Sequence, residues 1–116
     1  MTTTIKKPIY ATELPVVTNK EQYCQVYEHG ADLIYPHMQC DGRYPKINAK
    51  AKKDLAEGIA CMKAVIGYDS LNWAAFWIMG KAYQILEEQN LEHESFKAAF
   101  DIQKEWPDVA REYALS

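Results

Sequence analysis

The sequence predicts an all-α protein made of two stacked antiparallel helix hairpins, a short C-terminal helix and an extended N-terminal arm. Three observations predict it. Apolar residues recur at helical spacing from Tyr23 to Ile34, from Ile47 to Ile66, from Trp73 to Leu86 and from Phe96 to Ile102. Capping residues and prolines fall between these runs, at Thr18, Pro36, Pro45, Asp69 and Pro107. A chain of 116 residues, 48% hydrophobic and 25% charged, has the composition of one globular domain with a real core.

Residues 1–17 show no helical period. Pro8 and Pro15 interrupt them, while Ile9, Tyr10, Leu14, Val16 and Val17 are apolar, so they read as an arm laid across a helical domain at 18–116. The first helix is expected to start at Thr18, where Thr18 and Glu21 match a capping box. Tyr23, Val26, Tyr27, Ala31 and Ile34 form its stripe, and Pro36 ends it near Tyr35. Residues 36–46 read as a loop with an Asp41-Gly42 turn. The second helix is expected over Ile47–Ile66, with Gly67 as a left-handed C-terminal cap.

Asp69 or Ser70 is expected to cap the third helix, which runs to about Glu88. Asn90 is expected to cap the fourth, with Glu92 and Glu94 at the positive end of its dipole. Pro107 reads as its stop. Asp108 then caps a short last helix that turns Val109, Tyr113 and Leu115 inward. The third helix draws most attention because it is apolar nearly all the way round. Such a helix must be covered on several faces or must hold a partner.

Phe76, Met79, Gly80 and Tyr83, followed by Phe96 and Ala99 and closed by Pro107, resemble a tetratricopeptide repeat in order and spacing. Gly58, Met62 and Val65 stand where the second helix of a preceding repeat would pack. The resemblance covers about half the chain. The loop at 36–46 is longer than a repeat turn, and fewer than three full repeats are present. The resemblance implies a concave groove lined by the first helix of each pair, here Ala74, Trp77, Lys81, Gln84 and Ile85, with Tyr27, Ala31, Ile34 and Tyr35 from the first helix. Trp73 extends that face. Trp77 stands where the family's clamp for a C-terminal carboxylate would need a cation, so chaperone-tail capture of that sort is not expected.

Other classes have less support. The longest apolar run is too short to span a bilayer, and no apolar stretch follows the lysines near Met1, so neither a membrane anchor nor a secretory signal is expected. Residues 54–116 hold five basic side chains against eleven acidic ones, which opposes nucleic-acid binding and suits a basic protein partner. Arg43, Lys46, Lys50 and Lys53 cluster at the start of the second helix and read as a solvated face. Three cysteines, Cys24, Cys40 and Cys61, at spacings that suit no disulfide framework imply a reducing, cytoplasmic setting. Cys24, His29, His37 and Cys40 do not share a zinc-ligand spacing, so no metal or cofactor is expected. Glu87, Glu88, Glu92 and Glu94 read as a solvated helix-end tip, and no phosphate loop or nucleophile elbow appears. The expected function is therefore non-enzymatic binding of a protein or peptide, as an adaptor or chaperone or as a toxin-neutralising immunity protein. The alternative is a homodimer with the third helix as its seam.

Overall fold

The computed structural model describes residues 14–38 and 48–116, so residues 1–13 of the expected arm, and most of the loop at 36–46, lie outside the described residues. Among the described residues the chain forms α1 (Lys20–Ile34), a single 3-10 turn (Tyr35–His37), α2 (Ala49–Tyr68), α3 (Trp73–Ile85), α4 (Gln89–Ile102) and α5 (Pro107–Leu115). α1 packs on α2 and α3 on α4. The two hairpins stack chiefly through α2 against α3, and α5 packs on α4. This is the expected pair of stacked hairpins with a short final helix.

Three of the helices start on an asparagine. The side-chain oxygens of Asn19, Asn48 and Asn72 accept from the backbone amides of Gln22, Ala51 and Ala75, at 2.8, 2.8 and 3.0 Å. Each satisfies one of the orphan donors of a first turn. The expected caps at Thr18 and Asp69 are displaced accordingly. Thr18 instead bonds Gln22 Oε1 through both its amide and its hydroxyl. Asp69 Oδ1 accepts from the Leu71 amide in the turn between α2 and α3. Gly67 lies inside α2, which ends at Asp69 in an extended conformation rather than a left-handed cap.

The tight turn between α3 and α4 takes the left-handed role on Glu87, with φ 60°. Its amide donates to the Gln84 carbonyl and the Glu88 amide to the Tyr83 carbonyl, the two bonds of a Schellman motif. α4 thus begins one residue before the expected cap Asn90, which is helical. Pro107 opens α5 instead of closing α4, which ends at Ile102. Proline suits the first helical position because the amide it lacks would be unpaired there. Leu115 is 76% exposed, contrary to the inward placement expected of it.

Glycines set the distances between helices. A Cβ on Gly58 would stand 2.5 Å from Ile34 Cγ1, and one on Gly30 would stand 2.7 Å from Cys61 Cβ and 3.2 Å from the Gly58 carbonyl. α1 and α2 therefore meet almost backbone to backbone. In the second hairpin the fully buried Phe96 ring lies over Gly80, where a Cβ would approach it to 2.6 Å. Around these contacts Ile34, Leu55, Ile59, Met62, Val65, Ala75, Ile78 and Ala82 form a core with almost no exposure. Burial of each large side chain contributes about 1.5–3 kcal/mol.

Gly67 offers an internal control, since it is helical and nothing lies within 4 Å of its added Cβ. Alanine should stabilise there by about 0.5–1 kcal/mol, as in any open helical site. The same substitution at Gly80 should cost about 1–3 kcal/mol by overpacking against Phe96. Thermal melts followed by circular dichroism should rank Gly67→Ala above wild type and wild type above Gly80→Ala. A Gly80→Ala protein that melts at or above wild type would remove the seam.

Candidate protein-binding face

One face of α3 carries Trp73, Trp77, Lys81 and Gln84, spaced three or four residues apart so that they align. The structure brings these four together and covers them. Trp106, in the connection between α4 and α5, meets Trp73 edge-on at 4.3 Å between ring centroids and stacks on Trp77 at 6.4 Å. Lys81 Nζ lies 5.8 Å from the Trp77 ring centroid and donates to Glu112 Oε2 of α5 at 2.8 Å. Gln84 Nε2 donates to Glu92 Oε2 of α4 at 3.1 Å. The indole N–H of Trp77 is buried and has no acceptor among the described residues.

Ile85, expected on this face, instead lies 5% exposed within the core and is unavailable to a partner. It sits one position past Gln84, which turns its side chain by about 100° into the hairpin seam. Tyr27 packs against the core from α1, near Tyr35, which is 48% exposed. Burial, then the neighbouring Tyr35, pushes the Tyr27 phenol up, so it stays neutral. No ring contact or hydrogen bond joins this tyrosine pair to the tryptophans among the described residues.

The Lys81–Glu112 pair is nearly enclosed, its side chains 13% and 10% exposed. A buried pair of this kind gains little net stability, because attraction is offset by the loss of water from both charges. It does fix α5 against α3. Glu92 departs from the expected solvated tip. Burial raises its carboxyl above the ordinary range, the Gln84 bond opposes this, and the charge of Glu112 adds to it.

Trp106, Glu112 and Glu92 are the residues that sequence reasoning missed here. Trp106 is an aromatic within the otherwise polar run Gln103-Lys104-Glu105-Trp106-Pro107-Asp108, and Glu112 interrupts the stripe of Val109 and Tyr113. Both were signals of a kind, an aromatic in a loop and a carboxylate on an apolar face.

The remaining polar groups are dispersed. His29 pairs with Glu57 at 3.2 Å, and His37 and Lys50 both meet Asp54. Lys50, then His37, hold the Asp54 carboxyl below its usual range. Among the described residues no group of three or more His, Cys, Asp or Glu could hold a metal ion. An open groove of about 620 Å³ runs between Leu14–Val16 and α1–α2, with Cys61 on its wall. Burial, then Glu57, push the Cys61 thiol up to about 11, so it is not a nucleophile at neutral pH. No helix is long and apolar enough to cross a membrane among the described residues.

Comparison of the chain with protein-family models, with curated proteins and with solved structures gives no match.

Two predictions follow from the enclosed charges. Lys81→Met removes the cation that faces the enclosed Glu112 carboxylate and should cost about 3 kcal/mol in urea denaturation, with Glu112→Leu costing less because the Glu92 charge also acts on Lys81. The double variant should lose much less than the sum of the two, and strict additivity would mean the pair is not coupled. Because the Glu92 carboxyl holds its proton more tightly folded than unfolded, its contribution to stability falls as pH rises out of the ordinary carboxylate range. Glu92→Gln stays neutral and keeps an oxygen for Gln84. It should raise the urea midpoint at pH 7, with the gain shrinking toward pH 4; an equal gain at both would argue against burial as the cause.

Proposed function

We propose that the protein is a non-enzymatic binding module that takes up another protein through a tetratricopeptide-like surface, as an adaptor or chaperone or as a toxin-neutralising immunity protein. One observation carries the reading. Exposed apolar side chains stand in or beside the α2–α3 turn and the α4–α5 connection: Tyr68 and Leu71 are 45% and 70% exposed, with Tyr68 tilted against Tyr23 of α1, and Trp106, 41% exposed, packs on Trp73. Aromatic side chains that are half in water and half packed on a rigid helix are the usual anchors of protein interfaces.

Charge and chemistry support it. Glu105 and Asp108, both exposed, flank Trp106, and the acidic excess of residues 54–116 would speed encounter with a basic partner. The free thiols of Cys24 and Cys61 suit a reducing, cytoplasmic setting. The dispersed polar groups and the neutral Cys61 thiol offer little to a catalytic cycle, which favours binding over an enzyme.

The test is capture from native lysate by the immobilised protein, with a Leu71→Asp/Trp106→Asp double variant as control. A partner held by wild type and reduced at least about tenfold with the variant is expected, since two anchor losses of about 1 kcal/mol or more suffice. Equal recovery by both would remove this surface. Light scattering on the same samples reports the alternative, since a wild-type dimer that the double variant breaks would make the surface a homodimer seam.

A further inference from the structure

Lys81 is one cation set among two carboxylates that belong to different helices. Its ammonium donates to Glu112 Oε2 of α5 at 2.8 Å, and both side chains are nearly out of water. Glu92, in the first turn of α4, accepts from Gln84 Nε2 at 3.1 Å, and Gln84 stands three positions after Lys81 on the same face of α3. The charges of Lys81 and Glu112 both act on the Glu92 carboxyl. With all three groups ionised, two anions share one cation. The helix that carries Glu112 has a small buried face. Of the nine residues of α5, Val109 and Glu112 alone are buried. Tyr113 adds a stack on Phe100 at 5.1 Å, and Trp106 just before the helix rests on Trp73. An element held by so few buried groups lies at the low end of local stability.

We propose that α5 is a proton-sensitive clasp, which closes firmly on α3 and α4 when Glu92 is uncharged and loosens when Glu92 ionises. The two carboxylates compete for Lys81. With α5 closed, Glu112 holds the ammonium, and an ionised Glu92 faces a like charge while Lys81 is engaged elsewhere. With α5 lifted, Glu112 moves into water and Lys81 is left to Glu92. The ionised carboxylate therefore favours the open arrangement, and the neutral one favours the closed. The closed form binds the proton more tightly, so the hold on α5 is strongest in acid and weakens as pH rises through the range of Glu92. The groups that bear on Glu92 come from three helices. Burial first, and then the Glu112 charge of α5, raise its carboxyl, while Gln84 and Lys81 of α3 and its neighbour His93 on α4 oppose them. His93 itself meets α5, tilted against Tyr113 and bonded to Ser116 Oγ at 2.7 Å. Opening also draws Trp106 from Trp73 and Trp77, so the same proton governs how far water reaches the aromatic side of α3. The clasp needs no partner and is independent of the binding reading above.

Hydrogen exchange of the full chain at pH 5 and pH 7.5, corrected for the intrinsic rate of each amide, tests it. Protection of the α5 amides relative to those of α2 should fall at least about threefold on going to pH 7.5, the effect of about half a pH unit between the proton affinities of the closed and open forms. Glu92→Gln stays neutral and keeps an oxygen for Gln84. It should hold α5 as firmly at pH 7.5 as wild type does at pH 5, with no response to pH. Histidines as a class change charge over the same range, so His93→Asn is the control, and it should keep the wild-type response. A flat wild-type profile, or α5 protection that moves only in step with that of α2, would overturn the clasp. A response that survives in Glu92→Gln, or vanishes in His93→Asn, would assign the proton to another group and overturn it too. The wild-type and His93→Asn profiles decide the matter if Glu92→Gln does not fold.

Discussion

At the crossing of α1 and α2, two glycines let one backbone lie against another. Gly30 and Gly58 face each other so closely that each would direct a side chain into the opposite helix. That separation allows Ile34 to reach full burial beside Gly58 and places Met62 beneath Gly30. The remaining core is built outward from this contact. Leu55, Ile59 and Val65 share the inner face of α2, and the stacking of α2 on α3 brings Ala75, Ile78 and Ala82 against them. Small residues at the stacking surface allow close approach, and larger ones fill what is left. Gly80 repeats the device with a ring in place of a backbone.

The sequence carried the fold in its apolar period, because a stripe at helical spacing has few other ways to be buried. The pairing of helices was equally legible, since short connections force neighbours to run antiparallel. Helix ends were less so. Thr18 and Asn19 both fit a cap, as do Asp69 and Asn72, and in each pair the asparagine takes the role. Pro107 is ambiguous by nature, because the missing amide that ends one helix also suits the start of the next. Glu87 in a left-handed conformation has no local signal, since glycine or asparagine is the residue expected there.

For the candidate face, helical spacing aligned the residues of α3 but held no trace of their cover. Trp73, Trp77, Lys81 and Gln84 are neighbours by helical geometry alone, and the structure places them together. What lies over them is a long-range fact. Trp106 and Glu112 come from the far side of α4, and no local pattern links them to α3. Ile85 failed for a related reason, because one residue of rotation separates an outer face from the core. A helix apolar on all sides therefore has a plain explanation in this molecule: α2 and α4 cover two of its sides, and an aromatic from the α4–α5 connection with a carboxylate from α5 covers the third.

Tyr23 binds the two hairpins in another way. Its hydroxyl donates to Asp69 Oδ2 at 3.1 Å and accepts from Asn72 Nδ2 at 2.8 Å. The same Asn72 uses its oxygen to start α3, so one amide serves both a long-range link and a helix terminus. Detaching α1 frees that amide and weakens the first turn of α3, even though α1 touches α3 little. The hairpins look modular in outline, yet Tyr23 ties the first to the start of the second. Denaturant should melt the described helices α1 to α4 in one step, with the same midpoint seen by tryptophan fluorescence from α3 and by helical signal from the whole chain.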